Sequence, residues 1–177
     1  MFLISFSQSS QPIGKDLIFM EKIFLETIGA HQRIIFKVSR MYRNTPEDQQ
    51  DLFQEIVYQL WRAFPGFRHE AKITTWIYRI ALNTAMASYR KQRPPVSLSE
   101  HPPDLADTSE TTSEREEWLF RALRTLSEPE RALISLYLED YSYAEIASIT
   151  GISENYVGVK LNRIKEKLRT LSTSTNL

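Results

Sequence analysis

The stretch 94–113 constrains this chain more than any other feature. It holds Pro94, Pro95, Pro102 and Pro103 among Ser, Thr and acidic residues and shows no apolar periodicity. A segment of that kind buries too little apolar surface to offset the entropy of ordering it. It therefore reads as a flexible acidic linker over 93–113, and it divides the 177 residues into two short parts. Each part can build only a small core, marginally stable alone. Apolar spacing on both sides is helical, and only 5 glycines are present, too few for a turn-rich β fold. The expectation is an all-α protein of two small helical domains, 20–92 and 114–172, with a short tail at 173–177.

In the first part, Ile23, Phe24, Ile28, Ile34, Ile35, Val38 and Met41 mark a helix over 20–43, with Gly29 as its weak point. Thr45-Pro46-Glu47-Asp48 is a helix start: a cap, Pro at the first turn, then acids at the positive end of the dipole. That helix runs to about Phe64 and stops at Pro65-Gly66, with Leu52, Phe53, Ile56, Val57, Leu60 and Trp61 on its apolar side. A third helix covers 73–91, with Trp76, Ile77, Ile80, Ala81, Thr84 and Ala87 expected to face inward. Met20 precedes the first periodic segment, so residues 1–19 read either as a disordered tail or as the product of an upstream start.

The formal net charge is zero, but its distribution is uneven. Residues 68–93 carry Arg68, Lys72, Arg79, Arg90, Lys91 and Arg93 against Glu70 alone. Residues 152–170 carry five basic residues against Glu154 and Glu166, whereas 94–117 carry seven acids against Arg115. Two basic blocks flanking an acidic one suit nucleic-acid contact at two places. There is no cysteine, which excludes disulfides and thiolate metal sites and fits a reducing cytoplasm. His31, His69 and His101 lie on separate segments without ligand spacing, and there is no Gly-rich phosphate loop. No apolar run approaches the roughly 20 residues that span a bilayer. A non-enzymatic protein without cofactor, metal or membrane insertion is expected.

Residues 142–163 read as a helix-turn-helix. Ser142-Tyr143-Ala144-Glu145 is a capping box, Gly151 suits a left-handed turn position, and Ser153 caps the last helix. Val157, Leu161, Ile164, Leu168 and Leu171 recur at helical spacing and pack inward. The opposite side carries Asn155, Tyr156, Val159, Asn162 and Arg163, side chains able to enter a major groove. Lys160, Lys165 and Lys167 flank them within reach of phosphates. A plain helical hairpin with a solvated basic face is the alternative.

Three motifs occur in order: Asp48-Gln49-Gln50-Asp51-Leu52-Phe53-Gln54-Glu55, then Thr74-Thr75-Trp76-Ile77-Tyr78-Arg79-Ile80-Ala81-Leu82-Asn83-Thr84-Ala85, then the run from Leu126-Ser127-Glu128-Pro129-Glu130-Arg131 to Leu161. Together they resemble the extracytoplasmic-function sigma factors of bacterial RNA polymerase, over residues 20–171. The resemblance implies a protein that binds core RNA polymerase, directs it to promoter DNA and helps melt the start region. It implies polymerase docking through Asp48, Asp51, Gln54 and Glu55, with Leu52 and Phe53 serving packing or the interface. It implies minus-ten recognition and melting by Lys72, Ile73, Thr74, Thr75, Arg79, Asn83, Ala87 and Arg90, with Asn83 at the position that contacts a flipped base. Trp76 stands either in the core or stacked on a base.

The last helix would read the minus-thirty-five element through Asn155, Tyr156, Gly158, Val159, Lys160, Asn162 and Arg163. Here the chain departs from the commoner Thr-Val-Lys or Thr-Val-Arg, having Tyr156-Val157-Gly158. That removes a basic contact and puts the DNA preference in doubt, unless Gly158 permits close approach to the duplex. The acidic linker is either a spacer or a mimic of nucleic acid in the RNA exit path. The family also implies an anti-sigma partner. The competing reading, a stand-alone regulator, leaves 74–85 and the helix at 46–64 without a role; a sigma mimic that initiates nothing is the third.

Overall fold

The computed structural model describes residues 15–92 and 114–174, with side chains over 17–90 and 118–172. The acidic stretch 93–113 expected as a linker lies outside the described residues. All regular structure among the described residues is helical: α1 (Lys15–Tyr42), α2 (Pro46–Ala63) followed by a 3-10 turn (Phe64–Gly66), α3 (Ile73–Gln92), α4 (Glu114–Arg124), α5 (Glu128–Leu138), α6 (Tyr143–Thr150) and α7 (Glu154–Ser174). The chain forms two compact units, one ending at Gln32 and one running from Arg33.

The first unit carries the start of α1, which begins at Lys15, inside the stretch 1–19 expected as a tail. The sequence Lys15-Asp16-Leu17-Ile18-Phe19 holds neither Gly nor Pro, so nothing stops the helix from extending back. Leu17, Ile18, Phe19, Ile23 and Leu25 are exposed there. Gly29 does not interrupt α1.

In the second unit Ile35, Val38, Met41 and Tyr42 of α1 are buried. The α2 start is as its sequence dictates: the Thr45 hydroxyl accepts the Asp48 N–H at 3.1 Å, with Pro46 in the first turn. Leu52, Ile56 and Leu60 are fully buried, one turn apart. α2 packs on α3. The buried side of α3 is Thr75, Ile77, Tyr78, Ala81, Leu82 and Ala85. This differs from the expected Trp76–Ala87 face by about one residue: Ile80 and Thr84 are half-buried and Ala87 is exposed. Ala81 and Ala85 are small enough to lie at a tight helix crossing, a feature that apolar spacing alone does not reveal.

The later helices form the helix-turn-helix. The Glu130 carboxylate accepts the Ser127 N–H at 3.1 Å and starts α5. At α6 the box is reciprocal: the Ser142 hydroxyl accepts the Glu145 N–H at 3.2 Å, and Glu145 Oε2 accepts the Ser142 N–H at 3.0 Å. Gly151 closes α6 with φ of 77°, its N–H donating to the Ala147 carbonyl at 2.8 Å. Leu133, Leu136, Ile146, Ile149, Val157, Leu161 and Ile164 make this core. Leu168 is only half-buried and Leu171 is exposed, so the inward stripe of α7 ends a turn earlier than its spacing suggests.

Candidate polymerase and DNA interface

The α2 surface carries acids on a rigid, well-capped helix. Asp51, Gln54 and Glu55 are exposed, and Asp48 is half-buried, accepting the Thr45 hydroxyl at 2.9 Å. Gln59 donates to Glu55 Oε1 at 2.8 Å. Leu52 is buried in the core, while Phe53 is half-buried. Asp48, Asp51 and Glu55 line a cleft of about 570 Å³, and Asn83, Thr84, Ala87 and Ser88 of α3 form its other wall.

On α3 the residues expected to meet the minus-ten element are not equally displayed. Lys72, Arg79, Asn83, Ala87 and Arg90 are exposed; Ile73 and Thr74 are half-buried; Thr75 is buried. Trp76 packs against Phe67 at 5.0 Å between ring centroids and edge-on to Phe64 at 6.2 Å. This aromatic cluster holds the turn preceding α3, in which His69 adopts a φ of 57° and packs tilted against Phe67. Three of the cations are engaged within the chain, Arg90 through its Nε–H, which donates to the Met86 carbonyl at 3.3 Å. Lys72 Nζ lies 2.9 Å from Glu145 Oε1, and Arg79 Nη2 donates to the Ser148 carbonyl at 2.6 Å. The Lys72 hydrogen bond, with those from the Ser142 N–H and hydroxyl, holds the Glu145 carboxyl down at about 2. The same bond raises the Lys72 ammonium above its ordinary value.

On α7, Asn155, Tyr156, Val159, Asn162 and Arg163 are exposed along one side. Lys160 is half-buried, with its ammonium 5.3 Å from the Tyr156 ring centroid. Gly158 stands elsewhere: a Cβ there would point at the Tyr143 ring, 3.4 Å away. The glycine is thus turned toward α6, not toward the exposed side where a duplex would lie. Two lysines expected to flank the DNA are also engaged within the chain. Lys165 sits 3.7 Å over the Tyr137 ring, and Lys167 lies 2.6 Å from Glu130. Burial pushes the Glu130 carboxyl up, but hydrogen bonds from Lys167 and Ser127 outweigh it and leave it below its ordinary value.

The spacing gave no hint of Arg131. It is buried at 5% exposure. Its guanidinium donates to the carbonyls of Leu126 at 2.9 Å, Arg124 at 3.2 Å and Met41 at 3.3 Å, and lies over the rings of Tyr42 and Tyr89. The only local signal was an arginine directly before the apolar run that opens at Ala132. No cluster of metal-ligating side chains occurs among the described residues. No helix among them is long and apolar enough to cross a membrane.

Sigma-70 region 2 matches residues 27–94, and Sigma-70, region 4 matches residues 116–168. The ECF RNA polymerase sigma-E factor of Haemophilus influenzae is 32% identical over 138 residues, spanning 68% of this chain and 72% of that protein. The chain belongs to the extracytoplasmic-function sigma factors. This sigma factor is also 31% identical to the sigma-E factor of Escherichia coli over 141 residues, with 68% and 72% of the two chains covered. It is 27% identical to SigM of Mycobacterium tuberculosis over 153 residues, with 84% and 76% covered. The structure of CnrH in complex with the cytosolic domain of CnrY shares its fold with a TM-score of 0.63 at 19% identity, over 87% of this chain and 90% of that one. The sigma factor RpoE, from a co-crystal structure with the anti-sigma factor NepR from Bartonella quintana, gives the same TM-score and identity over 90% and 98%.

Proposed function

We propose that this sigma factor divides promoter initiation among three helix surfaces. It binds core RNA polymerase and directs it to promoters, as its family does. The acids of α2, chiefly Asp51 and Glu55, meet a basic polymerase surface, and Phe53 supplies apolar contact. Arg79 and Arg90 hold backbone phosphates of the opened strand, and Asn83 contacts an unstacked minus-ten base. Opening a step costs a few kcal/mol, which captured bases and phosphate contacts must offset. Asn155, Tyr156, Asn162 and Arg163 read the minus-thirty-five element in the major groove. Residues 20–92 and 114–172 act as two domains on one polymerase, where tethering raises the joint affinity of two weak readers.

The observation that supports this reading best is the exposed row Asn155, Tyr156, Asn162 and Arg163 on the second helix of a well-capped helix-turn-helix. The chain itself catalyses nothing; RNA synthesis belongs to the polymerase it recruits, in the cytoplasm. An anti-sigma protein is a further expected partner, since the sigma factor RpoE was solved with one.

The test is run-off transcription from genomic fragments with purified core enzyme, with and without this protein, followed by mapping of RNA starts. New starts sharing two spaced upstream elements are expected. Tight duplex binding without core enzyme, and no new starts, would make it a stand-alone regulator instead. In the same assay Asn83→Ala should lower open-complex formation at least tenfold while core binding is kept; equal loss of both would remove Asn83 from base capture.

A further inference from the structure

The core of the helix-turn-helix fixes which side of α7 faces outward. Val157, Leu161 and Ile164 are each buried at 0% exposure. An α-helix turns by roughly 100° per residue, so Val159 stands about 140–160° around the axis from all three. Of the exposed row it points most directly away from that core. Its neighbours three and four residues along are Asn155, Tyr156, Asn162 and Arg163, all of them exposed.

The centre of a polar face is thus a valine, 48% exposed. Folding does not call for it there, because valine forms helix less readily than alanine, lysine or glutamate. A single exposed apolar residue is ordinary on a protein surface. What distinguishes this one is its position, ringed by side chains that all carry hydrogen-bonding groups. Tyr156 stands at one edge of the face, where the Lys160 ammonium lies 5.3 Å from its ring centroid. The middle of the face, Asn155, Val159 and Asn162, is short throughout, so contact with base edges requires α7 to lie deep in the groove.

In the major groove every base pair displays donors and acceptors, and among the four standard bases only thymine adds an apolar group, its 5-methyl. A valine pressed on any other base edge would bury an amino or carbonyl group without a partner, which is unfavourable. We propose that Val159 selects the 5-methyl group of a pyrimidine in the minus-thirty-five element, with Asn155 and Asn162 on the neighbouring base edges. The proposal rests on the assignment of α7 to that element made above. Selection works in two ways: the methyl is buried against the branched side chain, and bases that lack it are left with unpaired polar groups. Valine is stiff at χ1, so little side-chain freedom is lost in the contact.

Thymine and 5-methylcytosine both present this group, and base substitution separates them. The test measures occupancy of a promoter, mapped by run-off transcription, by core polymerase carrying this protein. Each thymine of the upstream element is exchanged singly for uracil, which removes the methyl and keeps the pairing and the carbonyl acceptor. Each cytosine is exchanged singly for 5-methylcytosine. An exchange to uracil that weakens occupancy about fourfold at one position, the value of one buried methyl, assigns thymine. A similar gain at one methylated cytosine assigns the modified base.

Val159→Ala should lose occupancy on the unmodified promoter and abolish the methyl preference at that one position. Val159 is exposed and alanine is the better helix former, so the variant is expected to fold; an unchanged urea unfolding midpoint checks it. No sensitive position on wild-type protein, or a preference that survives Val159→Ala, would overturn the proposal while the wild-type RNA starts still stand. If wild-type protein yields no promoter-specific starts, the promoter reading itself fails and takes this proposal with it.

Discussion

The two helices assigned to DNA differ in what their polar side chains are doing. Lys72, just before α3, and Arg79 on it are bonded to α6. On α7, Asn155, Asn162 and Arg163 project from the exposed side of the helix-turn-helix. Around α3 the cations are engaged within the chain, while on α7 a row of polar side chains stays exposed. A helix-turn-helix builds its reading face from local rules alone, namely a capping box, a left-handed glycine and an aliphatic stripe. Around α3 nothing local prevents the cations from finding carbonyls and carboxylates of the same molecule. Free cations do not stay unpaired when a partner is tethered nearby.

Arg131 joins the helices on which both surfaces are built, and its loss should have the largest effect. Arg131→Ala would leave the carbonyls of Leu126, Arg124 and Met41 without their charged donor and vacate the space against Tyr42 and Tyr89. A cost of about 2–4 kcal/mol is expected, since hydrogen bonds to charged groups are worth about 1.5–3 each and buried carbonyls are costly to orphan. Urea unfolding measures it. A loss under about 1 kcal/mol would mean that water replaces the guanidinium and that the halves are held by other contacts.

Next in size is the open reader. Arg163→Ala should cost about 1–3 kcal/mol of binding to the upstream element if it contacts a base. Competition between the mapped promoter and versions altered at single upstream positions would check it. A loss confined to one position is the expected outcome. A uniform loss would make Arg163 a phosphate contact and leave Asn155 and Asn162 as the readers.

Gly158 sharpens the same comparison from inside α7. Gly158→Ala should stabilise the protein by about 0.5–1 kcal/mol, because glycine is unfavourable within a helix. The added methyl meets the Tyr143 ring at an ordinary contact distance of 3.4 Å. DNA affinity should be unchanged, since the position faces α6. If DNA binding falls while stability rises, the glycine serves the duplex after all.

What the sequence made legible follows from the range of the interactions. The start of α2, the boxes at Ser127 and Ser142 and the turn at Gly151 were readable because each is completed within four residues. The exposed side of α7 was readable because periodicity alone divides a helix that packs on one side. The inward face of α3 was misplaced by a residue because Ala85, buried at its centre, carries little apolar signal. Arg131 was opaque for a different reason: its partners Met41, Tyr42 and Tyr89 lie forty to ninety residues away, and no spacing rule connects them. The intrachain partners of Lys165 and Lys167 were hidden for the same cause, since Tyr137 and Glu130 lie on another helix.

The smallest effect tests whether the bond of Lys72 to Glu145 matters at all, and pH gives it a signature. The folded Glu145 carboxyl is held at about 2, below its ordinary 4.5, by Lys72 first and then by the Ser142 N–H and hydroxyl. A depressed carboxylate contributes stability that is complete above about 4.5 and is lost as pH falls toward 2. Lys72, raised above 10.5, contributes below that value and loses its share only in strong alkali. Between those limits the pair is insensitive to pH, so it is not a physiological switch. Both side chains reach solvent, so salt screens them and the contribution is slight. Glu145→Gln keeps an acceptor for the Ser142 N–H and removes only the charge. Its Tm should lie slightly below wild type at pH 7 in low salt, converge on it only as pH falls toward 2, and match it at about 1 M salt. A difference that persists through both titrations would assign the effect to the α6 cap. The bond from Lys72 would then contribute nothing measurable, leaving Arg79 as the cation of α3 bonded to α6.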